Sequence, residues 1–293
     1  MNKYFIIRVA VCIAICIMIL VCKFNMFESF NVADDKIAFL FLTRNNLNCP
    51  DIWNAFFDKN SMHYNIYSHV KEPEKLDAQC ILRDKMIPEY VNTCWGCIGV
   101  IEANILLLKN ALKDPRNKKF ILVSEACIPI VSFNTFYNTV MRNNKSRIGI
   151  QKINTSLERY NMIKNPPFPI NQFIKHSAQG LIFNRYHASI LVDTMQANLD
   201  NWKAMSSSDE HYNGNILRLY DIKFNDNNEN VKTTFDIWQV ADLQQPVNIE
   251  LQTYILLDNV PNETIDKMRS AGFLLCRKID KNSKIDRKYI LQT

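Results

Sequence analysis

The sequence predicts an α/β fold with a mainly parallel central sheet flanked by helices on both faces. Two observations carry that expectation. Apolar strand-like runs alternate with amphipathic helical runs three times in the first half of the chain. Hydrophobic residues make up 47% and charged residues 22% of the 293, a balance that fills a large core and argues against wholesale disorder. No internal repeat or low-complexity tract interrupts the pattern.

Lys36 to Leu42, KIAFLFL, is apolar and aromatic-rich and reads as a buried first strand. Pro50 suits the first position of a helix, with Asn48 as a candidate cap and Ile52, Phe56 and Phe57 on one face. Tyr64 to Val70 is the second strand. In GVIEANILLLKNAL, Ile101, Ile105, Leu108 and Leu112 form one helical stripe. Phe120 to Val123 is the third strand, and Ser132 is placed to cap the helix that runs through Phe136 and Val140. Residues 151 to 175 read as loop. A strand is expected over Ala178 to Phe183, a helix over Arg185 to Asn198, and another from about Asp209 to Leu219. Phe235 to Trp238, Tyr254 to Leu257 and Phe273 to Arg277 are short strand candidates. In such a fold, ligands are expected at the carboxyl ends of the strands.

Before the domain, Phe5 to Cys22 is an apolar run whose single charge is Arg8. As a helix it reaches about 27 Å, close to a bilayer's hydrocarbon thickness. No small-x-small cleavage site follows Cys22, so an uncleaved transmembrane anchor is favoured over a signal peptide. Lys3 ahead of the run and Arg8 near its start, against Lys23 after it, point to a cytoplasmic N-terminus. The expected organisation is a tail at 1–4, the anchor at 5–22, a stem at 23–35 and the main domain at 36–293. That is a single-pass type II layout in a Golgi or other secretory membrane, or a host membrane if the gene is viral. Of the formal charge of +6, Lys3, Arg8 and Lys23 supply three units, leaving +3 for the domain. That is no footprint for nucleic acid, and none is expected as a partner.

Three N-x-[ST] sequons, at Asn144, Asn154 and Asn262, agree with a secretory route. Cys49, Cys80, Cys94, Cys97, Cys127 and Cys276 lie beyond the anchor, where one to three disulfides are possible. The CWGC stretch, Cys94 to Cys97, reads as a local disulfide or two ordinary thiols in preference to a redox centre. The six glycines make neither a G-x-G-x-x-G nor a Walker A loop. No histidine spacing suggests a metal site, and no D-x-D occurs; His187 reads as a surface or packed residue. In SSSDEHY, residues 206 to 212, serines followed by Asp209 and Glu210 make an ordinary helix start. The same position would also hold a catalytic carboxylate rigidly.

Taken in order, KIAFLFLTR, TCWGCIGVIEANILLLKNAL, KKFILVSEACIPI, SAQGLIFNR, SSDEHY and FDIW resemble the successive blocks of the core-2/I-branching β-1,6-N-acetylglucosaminyltransferase family and its plant-type members. The resemblance spans about residues 36 to 280. It implies a GT-A-like glycosyltransferase fold. It also implies an inverting single displacement, without metal or other cofactor, from UDP-N-acetylglucosamine to a hydroxyl of a glycan or glycoprotein acceptor. Glu210 is then the base and Asp209 an orienting neighbour. Lys278, with Arg277 beside it, is the contact to the donor diphosphate. Ser124 and Glu125 line the substrate cleft, and Trp95 packs below it. Related proteins use UDP-xylose, and a degenerate glycan-binding relative is the alternative from another class. Two departures stand out: Gly180 replaces a tryptophan common in the family, and Lys71 stands where animal members carry an aspartate near the uridine.

Overall fold

The computed structural model describes residues 35–151, 157–236 and 257–290. The expected anchor, the stem up to residue 34, the sequon at Asn154 and Trp238 lie outside them. Among the described residues no helix is long and apolar enough to cross a membrane.

The first half runs β1 (Lys36–Thr43), α1 (Pro50–Phe57), β2 (Tyr64–Val70), α2 (Ile98–Ala111), β3 (Asn117–Val123), β4 (Ile128–Pro129) and α3 (Phe133–Met141). Next come β5 (Ser146–Arg147), β6 (Ile150–Gln151), α4 (Leu157–Asn161), β7 (Lys175–His176), β8 (Ile182–Asn184) and α5 (Arg185–Asn198). The chain continues through α6 (Tyr212–Tyr220), α7 (Phe224–Asn227), β9 (Asn228–Glu229) and β10 (Thr234–Asp236). It ends in β11 (Leu257–Asn259), α8 (Asn262–Ser270), β12 (Leu275–Arg277), β13 (Ile279–Lys284) and α9 (Arg287–Ile290).

The main sheet has the order β2-β1-β3-β8-β5-β9. β1 pairs in parallel with both β2 and β3, as the strand–helix alternation requires. β8 is antiparallel to β3 and to β5, while β5 and β9 are parallel. Side chains of one strand point alternately to opposite faces, and both faces are buried. Ala38, Leu40, Phe120 and Leu122 face a cluster with Ile101, Ile105 and Leu108 of α2 and Leu191 of α5. Phe39, Phe41, Ile121 and Val123 face Trp53 and Phe56 of α1 and Phe133 and Phe136 of α3. The expected three-layer α/β architecture is thus present. A third, smaller cluster joins Ile128 to Ile265, Met268, Cys276 and Ile279. It underlies a second sheet, β10-β12-β4.

Several boundaries moved for local reasons. The strand expected from Ala178 starts only at Ile182, because Gly180 adopts φ +74° and turns the chain. Cys49 stands at the cap of α1, while the Asn48 side chain donates to the Ile279 carbonyl at 2.6 Å. Ser132 does cap α3, accepting from the Thr135 N–H at 3.3 Å. The helix expected from Asp209 begins instead at Tyr212, after a separate 3-10 turn over Ser208–Glu210. No serine caps it; Ser207 takes the left-handed conformation (φ 55°, ψ 42°) and makes no side-chain cap bond.

Gly180 has no room for a side chain, since an added Cβ would lie 1.8 Å from the Thr234 hydroxyl. Gly180→Ala is expected to destabilise the protein by roughly 2 to 4 kcal/mol, from backbone strain and from displacement of β10. Urea unfolding of the two proteins measures this.

Candidate active site

The site is assembled by a short polar clamp. Asn215 of α6 accepts from the Ile174 N–H at 3.0 Å and donates to the Ile174 carbonyl at 2.8 Å. His211 Nδ1 donates to the same carbonyl at 2.9 Å. His176, fully buried, donates from Nδ1 to the Ser177 carbonyl at 2.9 Å and accepts at Nε2 from the Gly214 N–H at 3.1 Å. Those bonds fix one neutral tautomer. Burial is the main reason that His176 is pushed down to about 4 and His211 to about 3. Gly214 is required by proximity, because a Cβ there would meet the His176 ring at 2.8 Å.

Ahead of α6, the 3-10 turn presents Asp209 and Glu210. The Ser207 N–H donates to the Gly96 carbonyl at 2.8 Å, and Gly96 is itself left-handed (φ 67°). Gly96 belongs to the CWGC loop, in which Cys94 and Cys97 are joined by a disulfide, the local bridge the sequence allowed. Trp95 sits at its tip, 77% exposed. It lines the cleft but, so exposed, does not pack beneath it.

Across the cleft, β12 is held between β10 and β4, and Ile279 donates to the Ala126 carbonyl at 2.9 Å. That fixes the chain on both sides of Lys278. Arg277 Nε lies 3.4 Å from Asp236 Oδ1. Burial, and then the adjacent Arg277, push Lys278 down to about 8, against the pull of Asp236, Asp209 and Glu210. Asp236 is pushed up by burial, opposed first by Arg277.

These walls enclose a cavity of about 450 Å³ lined by Trp95, Asp209, Glu210, Arg277 and Lys278, among others. Five of the seven residues expected from the sequence are therefore brought together. Ser124 and Glu125 are not among the lining residues. They form the elbow after β3, where Ser124 contacts Cys127 Sγ at 3.3 Å and the Glu125 carbonyl accepts from the Asn48 N–H at 3.0 Å. In the same elbow it is Ala126 that meets the cation wall, through the bond from Ile279. The cavity also contains residues the sequence did not single out, above all Lys175, His176, Lys232 and Asp236. Lys175 Nζ is 3.1 Å from Glu210 Oε2. Asp209 Oδ1 is buried without a protein hydrogen-bond partner, and burial followed by the Glu210 charge pushes Asp209 upward.

A serine–histidine–aspartate array does occur elsewhere. His187 contacts Ser146 Oγ at 2.6 Å through Nδ1 and Asp221 Oδ2 at 2.9 Å through Nε2. All three are buried, none lines the cavity, and Ser146 Oγ also accepts from the Asn184 N–H at 2.8 Å. His187 is a packed residue that ties α5 to the sheet edge.

A layered sheet with helices on both faces, and a cleft bearing paired carboxylates on one wall and adjacent cations on the other, defines an α/β protein with a polar, charge-lined ligand cleft. Comparison with known proteins supplies the family. The Core-2/I-branching enzyme family model matches residues 37–269, and the chain belongs to that family of glycosyltransferases. The chain is similar to glycosyltransferase BC10 of Oryza sativa subsp. japonica, with 33% identity over 165 residues. That match covers 54% of this chain and 40% of the relative, so the chain spans less than half of that protein's length. The layered sheet fits the GT-A-like fold the family implies.

Burial of neutral His176 links stability to pH. Its folded value of about 4 lies below the ordinary 6.5, so the unfolded chain binds the proton more readily. Stability is therefore full above about pH 6.5 and declines as pH falls toward about 4, with His211 acting in the same direction. The loss is on the order of 1 kcal/mol per pH unit for each group. Urea midpoints at neutral and mildly acidic pH check the slope, which His176→Gln is expected to flatten.

Proposed function

We propose that the chain is a membrane-anchored inverting glycosyltransferase that moves a sugar, N-acetylglucosamine from its UDP donor as first choice, onto a glycan hydroxyl. The observation carrying this reading is the placement of Glu210 and the Arg277–Lys278 pair in one cavity. Family membership and the similarity to a protein named as a glycosyltransferase support it. The apolar run at residues 5–22 supports the anchor, and an exposed Asn144 within a sequon suits a lumenal domain that carries glycan.

In the proposed step, Glu210 takes the proton of the acceptor hydroxyl as that oxygen attacks the anomeric carbon. The new carbon–oxygen bond forms as the bond to the β-phosphate oxygen breaks, and the electron pair leaves with UDP. Lys278 and Arg277 meet the charge that develops on the diphosphate, a role in which no metal is assigned. Asp209, raised by burial and facing the cavity, hydrogen-bonds an acceptor hydroxyl and orients it. Trp95, exposed beside the turn that carries the acids, offers a ring to the same substrate half.

Glu210→Gln keeps shape and removes the base. It is expected to lower turnover of UDP-N-acetylglucosamine by roughly 10²- to 10⁴-fold while leaving the thermal shift produced by UDP in place. The assay is run on the full chain with EDTA present. A Gln variant as active as the native protein would overturn the assignment, and loss of all turnover on chelation would overturn the metal-free step.

The ammonium form of Lys278 is the one that attracts a diphosphate. UDP affinity is therefore expected to weaken as pH rises through about 8. Lys278→Ala should reduce affinity by roughly ten- to a hundredfold and remove that dependence. Calorimetric titrations with UDP on either side of that pH read both effects.

A further inference from the structure

Glu210 does not face the cavity alone. Lys175 holds one of its two oxygens, Oε2, at 3.1 Å. The pair is partly exposed, with side chains 34% and 18% accessible, and a pair of that kind contributes roughly 0 to 1 kcal/mol to stability. Fold stability is therefore a weak reason for its existence.

Its construction points elsewhere. Lys175 is flanked by the two most firmly tied residues of the segment. Ile174 is bonded at both its N–H and its carbonyl to the Asn215 side chain, and its carbonyl also receives His211 Nδ1. His176 is bonded through both ring nitrogens. All of these bonds but the one from His176 Nδ1 to Ser177 run to His211, Gly214 or Asn215, within five residues of Glu210 itself. β7 is further paired with β6, Lys175 opposite Gln151. The backbone that carries the ammonium is thus locked to the backbone that carries the carboxylate. Ordinary surface pairs rely on two long flexible side chains and have no such frame.

We propose that Lys175 is a positioning residue for the base: it occupies Oε2 of Glu210 and so reserves Oε1 for the acceptor hydroxyl. The inference rests on Glu210 being the base. A carboxylate free to rotate presents either oxygen, whereas one held at Oε2 presents Oε1 in a single orientation. Asp209 is the neighbouring acid on the same turn. The other charged or titratable groups that act with Glu210 are His176, neutral and buried, and Lys278 on the opposite wall. Neither is an ion-pair partner of Glu210; among the described residues Lys175 alone holds that place.

The test compares native chain, Lys175→Met and Lys175→Arg. UDP release from UDP-N-acetylglucosamine and from UDP-xylose is measured across pH, with the UDP thermal shift recorded on each protein. Lys175→Met is expected to lower kcat about 10- to 100-fold near neutral pH, to alter the pH–rate profile, and to leave the UDP shift in place. Lys175→Arg should recover most of the rate and the native profile. An active native enzyme whose Met variant keeps both rate and profile would overturn the role of Lys175 and leave the transferase reading standing. A native chain that neither responds to UDP nor turns over either donor would overturn the reading on which the role depends.

Discussion

The arrangement of the cleft depends on one closed set of hydrogen bonds, those joining Ile174 and His176 to the first turns of α6. They are buried and uncharged, and both histidine rings are held neutral by burial. Buried polar groups that are paired favour a single geometry, because a shift leaves a desolvated donor or acceptor behind; of the clamp's ring nitrogens, His211 Nε2 alone has no protein partner. Gly214 makes the approach possible, since a side chain there would strike the His176 ring. Without this closure, β7 would be two residues of polar strand with little to hold them.

From that clamp the chemistry follows outward. The turn over Ser208–Glu210 is fixed at one end by α6 and at the other by the bond from Ser207 to Gly96. The disulfide-closed loop around Gly96 then places Trp95 at the rim. The opposite wall is built separately, by the second sheet and by the contact from Ile279 to the elbow after β3. Two independently supported walls of opposite charge face each other, which is what a transfer reaction needs to bring an acceptor hydroxyl and a departing diphosphate into line.

Much of this was legible in the sequence where long apolar periodicity or ordered blocks carried the signal. β2 and α5 fall where their patterns placed them, β1 runs one residue further, and α2 is shifted by one residue at each end. Asp209, Glu210, Arg277 and Lys278 were drawn together by the order of blocks, although each is unremarkable in its own stretch of chain. Ser124 and Glu125 were legible only as a strand-end elbow; whether that elbow opens on the cleft or braces it depends on β12, which arrives from about 150 residues later. Lys175 left no signal. It lies in a polar segment read as loop, its strand is two residues long, and its partner is reached only through tertiary contacts. Gly180 was visible as a departure, but its cause, the Thr234 hydroxyl pressed against it, was not.

On the proposed reading, one cavity holds the donor diphosphate on the Arg277–Lys278 wall with its distal phosphate turned toward Glu210. A crystal structure of the chain with UDP bound tests it most directly. The expected result is a diphosphate oxygen within about 3 Å of Lys278 Nζ, with Glu210 Oε1 open toward the terminal phosphate. A UDP seated away from Lys278, or with its phosphates turned from Glu210, would contradict the account.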